Sequence, residues 1–109
     1  MAAPPRLGAF EELVLLAVLS QQGEGYGVTI QEALEAETGS GISVGAVYAT
    51  LDRLDRKGFV SSRVGGETRE RGGRRKRFFR VTRAGARALE AMRRIRGNLR
   101  AGAALPEPA

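Results

Sequence analysis

With 109 residues the chain suits one small domain with a single core. It contains no Cys and no His, which excludes disulfides, the usual zinc ligands, a thiol nucleophile and the commonest general base near neutral pH; no catalytic group, metal or cofactor is expected. The net charge of +6 hides a division, with four basic and eight acidic residues over 1–62 against fourteen basic and four acidic over 63–109, so one part of the molecule is built to meet a polyanion.

In chain order, "MAAPPRL" (residues 1–7) reads as a disordered lead, because Pro4 and Pro5 oppose a helix. A first helix is expected from about Ala9 to Gln22. Its run "LVLLAVL" (residues 13–19) is apolar on nearly every side, which calls for burial by its own domain and by something further, a second subunit being the natural candidate. The run is too short to span a membrane and follows Glu11 and Glu12 where a secretion signal would need basic residues, so a cytoplasmic protein with no membrane partner is expected.

"GEGYG" (residues 23–27) is a turn, and it lacks the preceding strand and following Lys-Ser/Thr of a phosphate loop. The next helix carries Ile30, Ala33 and Leu34 and stops at "TGSG" near Thr38. Ser43 can cap a third helix that Gly58 ends, with Val47, Leu51 and Leu54 as its apolar stripe. Opposite lie Gly45, Ala46, Ala49, Asp52, Arg53 and Arg56, flanked by Tyr48 and Thr50, a small-residue face suited to close approach to another surface. For Asp52 three roles stay open: a cap, a pair with Arg56, or an acceptor from cytosine.

After Gly58 the period changes to two. "FVSSRV" (59–64) and "KRFFRVT" (76–82) are expected to pair as a hairpin around the polar "GGETRERGGRR", which holds Arg69, Arg71, Arg74 and Arg75, with Lys76 and Arg77 at its base. An alternative treats this Arg/Gly segment as a solvated or RNA-binding loop. Thr82 can cap a last helix, 83–100, whose Leu89, Met92, Ile95 and Leu99 form a stripe too long for so small a domain to cover; pairing with its copy would bury it symmetrically. Residues 101–109 read as a disordered tail.

The expected fold is mainly α with a small β-hairpin: a winged helix-turn-helix domain over 8–82 plus a C-terminal dimerisation helix over 83–100. "YGVTIQEALEAETG", "ISVGAVYATLDRLDRKGFV" and "GRRKRFFRVTRAGARAL" resemble the corresponding segments of the PadR family of transcriptional regulators, over about residues 8–100. That resemblance implies a homodimeric DNA-binding repressor that occupies operator DNA and is released by a small molecule or another signal. It also places the DNA-reading helix at 43–58, with Tyr48, Thr50 and Arg53 in contacting positions and the capping Ser43 counted with them as DNA-binding, and the wing at 63–77, with Arg63, Arg69, Arg71, Arg74, Arg75, Lys76 and Arg77. The sequence does not continue into the extra helical domain of longer members, so Leu13, Ala17, Leu89, Met92, Ile95 and Leu99 are the candidate dimer contacts. It also lacks the Trp that sandwiches flat drugs in some short members; Met92, Ile95 and Leu13 or Ala17 are either the lining of an effector pore or plain dimer core. The competing readings are a winged-helix protein-interaction module and an unspecific RNA- or nucleoid-binding protein.

Overall fold

The computed structural model describes residues 6–65, 75–106 and 108. Its elements run α1 (Ala9–Ser20), α2 (Gly27–Thr38), α3 (Val44–Arg56), β1 (Val60–Gly65), β2 (Lys76–Val81) and α4 (Arg83–Ala101).

The helix ends are set locally. At α1 the Glu11 carboxylate turns back to accept from the Gly8 N–H at 2.8 Å, satisfying a donor the first turn leaves unpaired. The Ser43 hydroxyl accepts from the Ala46 N–H at 3.1 Å, and that of Thr82 from Gly85 at 3.1 Å, so both caps read from the sequence are present. Helix α3 ends where Gly58 takes φ +78°, a left-handed conformation that L side chains resist; the N–H of Gly58 bonds to Asp55 and that of Phe59 to Leu54.

Strands β1 and β2 pair antiparallel from Val60↔Val81 to Gly65↔Lys76, and a single bridge from Gly25 to Phe79 adds the α1–α2 turn to the other edge of β2. The period-two alternation sends Val60 and Phe79 into the core, where they meet Val14, Leu15 and Val18 of α1, Ile30 and Leu34 of α2, and Val47, Leu51 and Leu54 of α3. This is a winged helix-turn-helix arrangement with a further C-terminal helix.

Helix α1 is only half enclosed. Val14, Leu15 and Val18 are fully buried, while Leu13, Leu16 and Leu19 are 43–49% exposed. Helix α4 runs antiparallel to α1, held by Arg96 to Glu12 at 2.7 Å, and its apolar stripe emerges gradually: Leu89 is buried, Met92 and Ile95 half-buried, Leu99 exposed. Part of the expected disordered lead is ordered, since Leu7 packs against the core and the Arg6 carbonyl accepts from Lys57. Residues 1–5 lie outside the described residues.

Candidate nucleic-acid interface

Helix α3 is anchored on one side by a carboxylate that carries no functional mark in the sequence. Glu11 is buried, and both its oxygens accept from Lys57 Nζ, at 2.8 and 2.9 Å, while Arg53 Nε lies 3.6 Å away. Burial pushes the Glu11 carboxyl up, but the Lys57 and Gly8 hydrogen bonds and the charges of Lys57 and Arg53 outweigh it and hold the group below its ordinary value.

One expected contact is corrected here. Thr50 is 1% exposed, so its hydroxyl does not face outward; it accepts from Arg53 Nη2 at 3.0 Å. With Val47, Leu51 and Leu54 it completes the i, i+3, i+4, i+7 face, which is broader than the apolar residues alone mark out. Arg53 itself is drawn along its own helix toward Thr50 and Glu11, with its side chain 47% exposed.

Tyr48 lies half-exposed on the other flank, its ring against Gly27 at the start of α2. Asp52 has a partner that none of the three expected roles named. It faces Arg77 of β2, whose Nη1 is 3.5 Å from Asp52 and Nη2 3.4 Å from Asp55, with Nε donating to Ser62 at 2.9 Å and the guanidinium over the Phe79 ring. Arg77 thus links the wing root to α3, with its side chain still 39% exposed.

Lys76 and Arg63 of the wing root rest on aromatic rings. Lys76 Nζ sits 4.4 Å from the Tyr26 ring centroid, and the Arg63 guanidinium 4.7 Å from that of Phe78; the two rings meet edge to face. Arg63 also reaches Glu24 at 3.3 Å. Such stacking fixes the stems of these side chains while leaving charge at the surface. Arg75 is exposed just before β2, and Arg69, Arg71 and Arg74 lie outside the described residues. Tyr26 and Gly27, which read in the sequence as turn residues only, join the wing to α3: Lys76 contacts Tyr26, and its chain neighbour Gly27 contacts Tyr48. No local signal marks them, since their partners are distant in the chain.

Of the candidate dimer residues, Ala17 and Leu89 are buried within the chain's own core. Leu13 and Leu99 are exposed, and Met92 and Ile95 half-buried. Leu13, Leu16 and Ala17 of α1 also line a groove of about 430 Å³ with Ala33 and Leu34 of α2. Among the described residues no group of His, Cys, Asp and Glu could hold a metal ion, and no helix is long and apolar enough to cross a membrane.

A family model described as the transcriptional regulator PadR-like family matches residues 15–91. The chain belongs to this family. It is therefore a DNA-binding transcriptional regulator and not an enzyme. Solved structures agree in fold. A PadR-like transcriptional regulator from Bacillus cereus is 20% identical with TM-score 0.69, covering 87% of each chain. A PadR family transcription regulator from Clostridium difficile is 20% identical with TM-score 0.66, covering 85% of this chain and 93% of that one. A mutant MarR from E. coli, solved with operator DNA, is 20% identical with TM-score 0.66 and shares 85% of the PadR-like chain but only 58% of its own. No curated protein matches by sequence.

Proposed function

We propose that this PadR-like protein is a cytoplasmic homodimeric repressor that places α3 of each subunit in the major groove of operator DNA and is released by a small molecule. One observation carries the reading: Lys76, Tyr26, Gly27 and Tyr48 form a continuous line of contacts from the wing root to the flank of α3. A cation and a phenol hydroxyl at its two ends suit successive phosphates beside a groove. Ser43, Arg63, Arg69, Arg71, Arg74 and Arg75 add to the DNA surface in this reading, and Arg53, tied to Glu11, serves a phosphate at most.

The dimer is assigned to Leu13, Leu16 and Leu19 of α1 with Met92, Ile95 and Leu99 of α4. Leu13, Leu16, Leu19 and Leu99 are exposed, and a second copy packed on them removes this apolar surface from water. An effector fits best in the apolar groove beside Leu13, whose volume lies within the range of small-molecule sites.

The experiment is a gel shift with random duplex DNA, its selected operator and single-stranded RNA across a salt series. Preference for the operator, with log affinity falling by about 0.9 per neutralised phosphate for each decade of salt, supports the reading. Equal affinity for all three nucleic acids, or no binding at low salt, overturns it.

A further inference from the structure

The first two turns of α3 expose Val44, Gly45, Ala46, Tyr48 and Ala49, and of these only Tyr48 carries a side-chain hydrogen-bonding group. Val44, the first residue of the helix, is 37% exposed and takes no part in the core. Tyr48 stands one turn further on the same side. Beside them Gly45 faces open space, so nothing in the chain's own packing calls for glycine at that position.

The side chains that read bases by hydrogen bonds are engaged or misplaced. Arginine reads guanine, but Arg53 is held by Thr50 and Glu11, and Arg56 lies in the last turn, at the end away from Val44. Aspartate reads cytosine, but Asp52 and Asp55 face Arg77. Adenine is read by Asn or Gln, and α3 has neither. One major-groove feature is legible to an apolar side chain, the C5 methyl of thymine, and in helix-turn-helix complexes the N-terminal residues of the reading helix meet the base edges.

We infer that Val44, backed by the ring of Tyr48, is a specificity determinant that takes a thymine methyl group in each half-site. The occupant follows from the setting: the Lys76 and Arg63 cations at the wing root attract the phosphates that flank a groove, and the apolar side chains stand at the end of the helix that reads bases. The inference rests on the assignment of α3 to the major groove.

The test begins with selection of bound sequences from a random duplex pool. Each thymine of the selected half-site is then replaced by deoxyuridine, which pairs identically but lacks the methyl. At one or two positions per half-site binding should weaken about three- to fivefold, the value of one buried methyl, and at the others not at all. In Val44→Ala, whose fold is checked by thermal denaturation, that penalty should vanish; in Val44→Thr, which keeps a methyl, it should persist. An operator indifferent to deoxyuridine, or a penalty unchanged in Val44→Ala, overturns the inference while leaving DNA binding intact. If the wild-type protein binds no duplex, the proposed function falls with it.

Discussion

The ring of Tyr48 lies against Gly27 in the space a methyl group would take. Glycine at the first position of α2 therefore reflects close approach, since its backbone is not left-handed. Gly27→Ala should push the ring aside at a cost of about 1–3 kcal/mol, measurable by urea denaturation. Because the two residues touch, the double variant Gly27→Ala/Tyr48→Ala should be less destabilised than the sum of the single variants; strict additivity would refute the contact.

Glu11 is the hub between α1 and α3, and its stabilising effect has a definite pH window. Its folded-state pKa is depressed, so the contribution is fully present above the unfolded value and is lost as pH falls through the folded one. Glu11→Gln should cost about 1–2 kcal/mol at neutral pH. The gap in melting temperature from wild type should close in acid, below pH about 4. A gap that widened in acid would reverse the assignment.

At the start of α4, a methyl group on Gly85 would collide with the backbone carbonyl of Phe59, which is itself fixed by the Thr82 N–H at 3.0 Å. Unlike a side chain, that oxygen cannot turn aside. Gly85→Ala should therefore destabilise by about 3 kcal/mol in thermal unfolding, more than Gly97→Ala, where the space is open.

What the sequence disclosed and what it hid divide along chain distance. The caps at Ser43 and Thr82 and the stop at Gly58 act on residues a few positions away, so residue type alone reveals them. Alternation in the strands is equally legible from residue type, although only Val60 of β1 and Phe79 of β2 are buried. Glu11 and Lys57 are 46 positions apart, and nothing local pairs them. Arg77 resembles any other wing cation in the sequence, because Asp52 and Asp55 are brought to it only by the fold. Thr50 misleads for a different reason: a hydroxyl that finds a partner can occupy a core position, so polarity is a poor guide to the face it occupies.

For DNA binding, Lys76→Ala and Arg75→Ala should weaken operator and unrelated DNA alike and make the salt dependence shallower by about 0.9 for each phosphate no longer neutralised. Tyr48→Phe should act in the same manner without changing the salt slope, since it removes a hydrogen bond but no charge. A changed ratio of operator to unrelated binding in Lys76→Ala would make this residue a base reader.

For assembly, Ile95→Glu and Leu99→Glu place charge on the emerging stripe of α4. Both should yield monomers by light scattering, and Leu99→Glu should leave the melting of the monomer unit unchanged, because that side chain is 73% exposed. A dimer that survived both would move the interface to α1.

The bridge from Gly25 to Phe79 and the grip of Arg77 on Asp52 and Asp55 bind the α1–α2 turn, the wing and α3 into one solid piece. In the proposed DNA complex, wing root and α3 therefore meet a half-site together. In the proposed dimer joined through α4, the spacing between half-sites is then set by that joint, through residues that never touch DNA.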